Sequence, residues 1–311
     1  MRRGIRPILP LALLWLLAAC APPGLGADPD EPSRATTPAT AIALSVSADA
    51  VYLVDPEDGV RRTVVQDLRD FQAGYATWAP DHRRLAFGNN GIFILDAVTG
   101  SRTALVEGSA LTMPAWSRDG KRISYGDGVE LWTTPVAGLD PAGFSLPETL
   151  APLGMAWRPG SQIAFQGLEL DCSTPVGCAS TELSEVWTIA PDGSGLTQVT
   201  EVGHAESPKW SPDGARLCFV RGFGGPSQPT AAEPSRSTEL WEVNANGTGA
   251  RQMLPLFDVI AADWSPDGAA LAIVRPGERP RTLQVWLAGA DGSNLRPIGN
   301  PVPGTHATID W

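Results

Sequence analysis

The chain has 311 residues, and its 34 Asp and Glu outnumber its 23 Lys and Arg, so its formal net charge is −11. A chain this acidic lacks the basic face that nucleic-acid binding requires, and charge alone would not hold it on anionic lipid. Its 33 Gly, 29 Pro and 11 Trp are typical of a turn-rich, all-β protein.

Residues 1–19 have the pattern of a bacterial export signal. Three Arg lie within the first six residues, and the apolar stretch from Pro7 to Leu17 is shorter than a membrane-spanning helix needs. The stretch ends in Leu17-Ala-Ala-Cys20, which resembles the bacterial lipobox, and this resemblance implies that Cys20 is lipidated. An ordinary signal with an incidental Cys and an uncleaved anchor are the alternatives. We expect an exported protein of the cell envelope, periplasmic or on the outer surface, held to a bacterial membrane by its N-terminal lipid only.

Residues 20–41 connect this lipidated Cys to the rest of the chain. The segment 21–40 contains five Pro and no aromatic residue. Such a composition cannot bury enough apolar surface to offset the loss of chain entropy on folding. We therefore predict a disordered Pro-rich tether.

From residue 42 onwards the chain repeats a Trp placed just before a tight turn, most clearly in Trp210-Ser-Pro-Asp-Gly and Trp264-Ser-Pro-Asp-Gly. In such a turn Pro presets φ, Asp forms local hydrogen bonds and Gly takes a positive φ. His82 stands at the Gly position of one copy and is expected to be exposed. The copies recur at roughly 45 residues, the length of a propeller blade. The repeated residues are Trp78, Trp116, Trp157, Trp210, Trp264 and Trp311.

Each repeated Trp ends a strand that we name A, and strands B, C and D complete the unit. Strand B is short and apolar, as in Leu217-Cys-Phe219, and strand C has an aromatic residue at its second position, as at Trp241. The chain enters with strand B at Ile42 and ends with strand A at Trp311. We therefore predict an all-β, six-bladed β-propeller over residues 42–311. It is closed by the N-terminal strands B–D pairing with the C-terminal strand A.

The Trp-Ser-Pro-Asp-Gly turn followed by this short strand resembles the TolB-type, WD40-like repeat, and the resemblance covers nearly all of residues 42–311. It implies a non-enzymatic scaffold that binds a protein partner through a propeller rim. TolB itself has an α/β domain before its propeller, whereas here the tether leads directly into strand B, so we do not expect TolB itself. Some related propellers are lyases or accompany peptidases. The alternative function is therefore glycan or small-ligand binding or processing, lyase- or hydrolase-like, at the channel mouth.

The sequence contains few residues that could form a catalytic or metal site. His204 and His306 precede strand A in two repeats, and strand A lines the channel in the family that the chain resembles. With Glu206 and either Asp263 or Asp310 they could form a metal or acid–base site; the alternative is two unrelated loop histidines. The sequence has no Gly-x-Ser-x-Gly and no His-Glu-x-x-His motif. We predict that the protein is not an enzyme and has no catalytic residues, no cofactor and no metal.

The remaining cysteines have separate roles. Cys172 and Cys178 flank Ser-Thr-Pro-Val-Gly, and in an exported protein this spacing favours a small disulfide hairpin. A metal site is the alternative, although it would need more ligands than two thiolates. Cys218 lies within a B strand, where we expect a buried free thiol that packs as a small apolar group.

The connection between strands B and C is long in two consecutive repeats, Gln166 to Glu185 and Arg221 to Glu239. In an up-and-down blade the B–C and D–A connections lie on the same rim, and loops of this length are uncommon unless they are functional or disordered. We predict that this rim contacts an envelope protein and that the protein is a monomer; tolerated insertion is the alternative. The candidate binding residues are Phe223, His204, Glu206 and His306.

Overall fold

The computed structural model describes residues 41–46, 50–66, 76–88, 91–108, 112–137, 141–160, 162–173, 178–222, 238–255 and 258–311. These residues form an all-β fold of six four-stranded sheets. The export signal, Cys20 and nearly all of the tether lie outside the described residues, and so does Phe223. None of the described residues belongs to a helix of the length and apolarity that a membrane crossing requires.

The strands follow one another along the chain as antiparallel neighbours. The first twelve are β1 (Ile42–Val46), β2 (Ala50–Val54), β3 (Arg61–Gln66), β4 (Ala76–Trp78), β5 (Arg84–Gly88), β6 (Gly91–Asp96), β7 (Arg102–Glu107), β8 (Thr112–Trp116), β9 (Arg122–Asp127), β10 (Glu130–Pro135), β11 (Ala142–Ser145) and β12 (Leu150–Arg158). The second twelve are β13 (Gln162–Asp171), β14 (Ala179–Ile189), β15 (Thr197–Gln198), β16 (Ala205–Trp210), β17 (Arg216–Gly222), β18 (Thr238–Asn244), β19 (Arg251–Gln252), β20 (Ala261–Trp264), β21 (Ala270–Pro276), β22 (Thr282–Gly289), β23 (Arg296–Pro303) and β24 (Ala307–Asp310).

Each sheet is one blade, with strand order A-B-C-D. Blades 2 to 6 are β4–β7, β8–β11, β12–β15, β16–β19 and β20–β23. Blade 1 has the order β24-β1-β2-β3, in which Ala43 pairs with Asp310 and Val46 with Ala307. The predicted closure of the N-terminal strands by the C-terminal A strand is therefore confirmed. Because the first strand β1 and the last strand β24 share one sheet, the ring of six blades is closed.

The core lies between the blades. The buried apolar side chains fall into six clusters, and each cluster combines residues of two adjacent blades. The A-strand Trp residues take part in these clusters, and their indoles face the preceding blade: Trp78 Nε1 donates to the Ala41 carbonyl at 3.0 Å and Trp157 Nε1 to Ser124 Oγ at 2.9 Å. The repeated Trp thus joins neighbouring blades, as expected of a large apolar side chain with one polar atom.

An Arg of the preceding blade covers several of these indoles. The guanidinium carbons of Arg84, Arg158 and Arg216 lie 5.0, 4.9 and 5.0 Å from the ring centres of the next blade's Trp. This distance is within the range of a cation–π interaction.

The Trp-Ser-Pro-Asp-Gly turn has the hydrogen bonds that its Asp and Gly predict, together with two bonds of the Ser hydroxyl that the sequence pattern did not indicate. Asp213 Oδ1 accepts from the Ala215 amide at 2.9 Å, and Gly214 has a φ of +68°. Ser211 Oγ donates to Asp213 at 2.6 Å and also accepts from the Arg216 amide at 3.0 Å. The Ser therefore connects the turn to the start of strand B.

Candidate functional site

Strands B and C of blade 4 are longer than the described strands of blade 5 on the rim that carries the B–C and D–A connections, which we call the upper rim. Strands β13 and β14 have 10 and 11 residues, whereas the equivalent strands of blade 5 have 7 each. The three additional residues of β13 and the four of β14 correspond to at least about 10 Å at 3.3 Å per residue. The expectation that Gln166 to Glu185 forms a loop is therefore wrong. Most of it is a β-hairpin, because Gln166 to Asp171 alternates polar and apolar residues, a pattern that favours a strand.

We call residues 168–183 the blade-4 arm. Its tip is closed by the predicted disulfide between Cys172 and Cys178. Along its length Leu170 pairs with Ser180, and Thr181 Oγ1 donates to the Glu169 carbonyl at 3.1 Å. Cross-strand bonds and a covalent closure together hold the hairpin as a defined projection.

The base of the arm is fixed to the propeller. The buried Glu185 carboxylate accepts from Thr200 Oγ1 and from the Gly203 amide, each at 2.5 Å. The Ser184 amide donates to the Gly203 carbonyl at 3.2 Å, and the Leu170 amide donates to the Thr149 carbonyl at 2.9 Å. The arm is thus connected on both sides to the segments that enter strands β12 and β16.

The surface of the arm and its surroundings is acidic. Between residues 141 and 208 the sequence has a single Lys or Arg, Arg158, and it lies at the opposite rim, where its Nε donates to the Gly214 carbonyl. Leu183 on the arm is 40% exposed. The exposed or half-buried acids on the upper rim around it are Glu148, Glu169, Asp171, Glu182, Glu201 and Glu206.

The candidate residues of the predicted rim are only partly brought together. His204 is half-buried beside the base of the arm, where it bridges to Ser184 and its carbonyl accepts from the Gly222 amide. Glu206 is exposed at the start of β16, in blade 5. His306 is exposed before β24 in blade 1, with Nδ1 at 3.0 Å from Thr305 Oγ1. Neither His lines either cavity of the channel described below.

The channel is lined at one level by the residue that precedes each repeated Trp. In blade order from blade 2 these residues are Thr77, Ala115, Ala156, Lys209, Asp263 and Asp310, and all six line a cavity of about 100 Å³ that opens at the lower rim. Thr77 and Lys209 also line a second cavity of about 50 Å³ on the upper side. Charged groups therefore occupy half of this ring and small or hydroxyl side chains the other half.

The three charged residues form one ion cluster. Lys209 Nζ lies 2.7 Å from Asp310 Oδ1 and 3.2 Å from Asp263 Oδ2. Burial on its own would lower the pKa of Lys209, but the two carboxylates outweigh it and the pKa is raised. Burial raises the pKa of Asp263 to about 6, and the Asp310 carboxylate acts in the same direction. Lys209 opposes this shift and keeps the cluster charged. Asp263 and Asp310 were predicted near the channel as partners of a His, but the residue that they contact is Lys209.

His82 lines the lower cavity, and the expectation that it is exposed is wrong. It takes the Gly position of its turn with a φ of +50°, and its ring stacks on Trp78 at 6.1 Å between centres. Nδ1 is buried, and no partner for it is present among the described residues.

Cys218 is free and fully buried, as predicted. It packs in the cluster between blades 5 and 6 with Trp264, and burial raises the pKa of its thiol. In the part of the chain that the structure describes, no group of three His, Cys, Asp or Glu side chains is placed to hold a metal ion.

No protein-family model matches the sequence, and no curated protein matches it either. Solved structures do resemble it. TolB from Acinetobacter baumannii matches with a TM-score of 0.65 at 14% identity, over 88% of this chain and 66% of that one, so this chain spans about two thirds of TolB. A chain of the nidogen–laminin complex matches with a TM-score of 0.62 at 12% identity, over 87% and 97% of the two chains. Oligogalacturonate lyase in complex with manganese matches with a TM-score of 0.52 at 16% identity, over 84% and 75%. At these identities the likeness establishes the fold, a TolB-like six-bladed propeller.

Proposed function

We propose that this protein is an exported, lipid-anchored scaffold of the bacterial cell envelope that binds another protein through its upper rim without catalysing a reaction. The observation that carries the proposal is the blade-4 arm, a disulfide-closed hairpin that projects about 10 Å beyond the neighbouring strands. A projection held rigid on a propeller costs little entropy when it is bound by a partner.

The charge of the rim defines the partner's chemistry. The arm and its surroundings present Glu148, Glu169, Asp171 and Glu182 around the exposed Leu183, and the one Lys or Arg between residues 141 and 208 lies at the opposite rim. Complementary charge steers association and selects partners, and an exposed apolar residue within a polar rim is typical of a binding surface. The partner is therefore a protein with a basic surface surrounding an apolar contact.

The comparisons support this class of function in two ways. TolB has the matching fold, and the nidogen–laminin structure is itself a protein complex. The likeness to oligogalacturonate lyase favours a catalytic function instead, but that lyase was solved in complex with manganese, and a comparable function here would need a site for a cation. Among the described channel residues, Asp263 and Asp310 share Lys209 as a cationic partner, so neither carboxylate is left without a positive charge beside it.

The test is capture of envelope proteins after crosslinking with the lipidated full chain. Wild type is compared with the double variant Glu169→Lys, Glu182→Lys and with the control Glu57→Lys, which changes an exposed acid on the opposite rim. We expect one protein with a basic surface whose capture falls at least ~10-fold in the double variant and with added salt, because both changes weaken the same charge complementarity. Equal capture by all three proteins, or no specific capture by wild type, would contradict the proposal.

A further inference from the structure

The backbone amides of the repeated Trp residues point into the channel. Strand A pairs with strand B in the same register in blades 2 to 6, with Trp116 opposite Ile123 and Trp210 opposite Leu217. In blades 3 and 5 the residue after the Trp donates its amide to strand B, as Ser211 does to Arg216 at 2.9 Å. Because successive amides of a strand alternate between its two edges, each Trp amide faces the opposite edge, which borders the channel.

In one half of the ring, the protein's own carboxylates accept from these amides. Asp263 binds two of them, with Oδ1 at 2.7 Å from the Trp264 amide of its own blade and Oδ2 at 3.2 Å from the Trp311 amide of the next. Asp310 Oδ2 accepts from the Trp78 amide at 2.5 Å. Two neighbouring Trp amides therefore form a binding site for one carboxylate.

In the other half the same amides have no side-chain carboxylate beside them. The position equivalent to Asp263 in blade 4 is Ala156, whose methyl group cannot accept a hydrogen bond, and it lies next to the amides of Trp157 and Trp210. All three residues line the lower cavity. Among the described residues no side-chain carboxylate or hydroxyl accepts from either amide, in contrast to Trp264, Trp311 and Trp78. A polar backbone group at this position needs an acceptor from water or from a ligand.

We propose that the channel binds a carboxylate ligand at the Trp157 and Trp210 amides, in the place that Asp263 fills for Trp264 and Trp311. The cavity of about 100 Å³ has room for a small carboxylate or for the terminal carboxylate of a peptide. Lys209 lies between this site and Asp263 in the ring, and Arg118 lines the same cavity. Lys209 is already shared by Asp263 and Asp310, so Arg118 is the cation that favours a carboxylate there. This site is separate from the blade-4 arm and does not depend on it.

The test uses the full chain labelled with ¹⁵N-tryptophan, so that each Trp amide is observed directly. Titration with sodium acetate, against sodium chloride at equal ionic strength, is expected to shift the Trp157 and Trp210 amides saturably. The Trp264 amide should not move, because Asp263 already occupies it. A peptide with a free C-terminus is then compared with its amidated form. If the free peptide shifts the amides and the amidated peptide does not, the ligand is a peptide's terminal carboxylate. If acetate shifts them and neither peptide does, the ligand is a small carboxylate.

A variant provides the matched control. Ala156→Asp places a carboxylate where Asp263 stands in blade 6, and we expect it to weaken acetate binding at least ~10-fold, the loss of about one charge-assisted hydrogen bond. Ala142→Asp adds the same charge on the exposed outer strand β11 and should bind as wild type does. The proposal is overturned if the wild-type amides shift only in proportion to acetate or not at all, which would mean that water alone fills the site. Equal binding by the Ala156→Asp variant would also overturn it. The wild-type titration decides the matter even if that variant does not fold.

Discussion

Replacing Lys209 by Met removes the ammonium group that lies between the carboxylates of Asp263 and Asp310 at 3.2 and 2.7 Å. The two carboxylate side chains are only 10% and 14% exposed, so water replaces the lost partner only in part. Removing one member of a buried ion cluster costs about 3–5 kcal/mol of unfolding free energy. We expect a loss of that size for Lys209→Met at about pH 7.5.

The loss should shrink as the pH falls. Burial raises the pKa of Asp263 from 3.8 to about 6 in the folded protein, so between these values the folded state holds a proton that the unfolded state releases. The free energy of unfolding therefore rises as the pH falls through this range. Without Lys209 the pKa of Asp263 rises further. One additional pKa unit makes the deficit of the variant smaller by about 1.2 kcal/mol at pH 5 than at pH 7.5.

Urea unfolding at the two pH values measures both effects. Arg251→Met is the matched control, because it also removes one positive charge from an ion pair, but Arg251 is 71% exposed and Glu242 keeps Arg216 as a partner. We expect this control to lose less than about 1 kcal/mol, with little change between the pH values. If Lys209→Met behaved like the control, or if its deficit grew at pH 5, the ion cluster would not stabilise the ring as argued.

Two further changes test the blades and the arm. Trp264→Ala should lower the free energy of unfolding by about 3–5 kcal/mol, because the side chain is 2% exposed between blades 5 and 6. The control Val98→Ala, at a residue that is 53% exposed, should stay within about 0.5 kcal/mol of wild type. Equal melting temperatures for the two variants would contradict the blade assignment. Cys172→Ser together with Cys178→Ser should cost about 2 kcal/mol on the chain-entropy model and make the arm a site of rapid limited proteolysis; an unchanged cleavage pattern would show that hydrogen bonds alone fix the arm.

The propeller could be predicted because its signals are local and repeated. A buried Trp, a Pro-Asp-Gly turn and a short apolar strand each specify their own conformation, and six copies reinforce one another. The closure by β24 follows from the same repeat, since the chain begins with strand B and ends at Trp311. The arm was harder to predict. Gly167, Pro175 and Gly177 favour a loop in the sequence, and the alternation around Leu168 and Leu170 was the signal for a strand.

The ion cluster of the channel could not be predicted from any single repeat. Lys209, Asp263 and Asp310 belong to three blades, and they become neighbours only when the ring closes. A charged residue directly before a buried Trp was the available signal, because strand A is otherwise largely apolar at this end. The carboxylate site is harder still to predict, since it consists of backbone amides beside Ala156, and its only signal is the comparison of equivalent positions around the ring.

The central claim is that the blade-4 arm contacts a protein partner, and photo-crosslinking in living cells tests it most directly. A photo-reactive residue is placed at Leu183 on the arm or at Val98 on the opposite rim, which are 40% and 53% exposed. We predict a single strong adduct from Leu183 and none of that mass from Val98. The same adducts from both positions, or none from Leu183, would contradict the account.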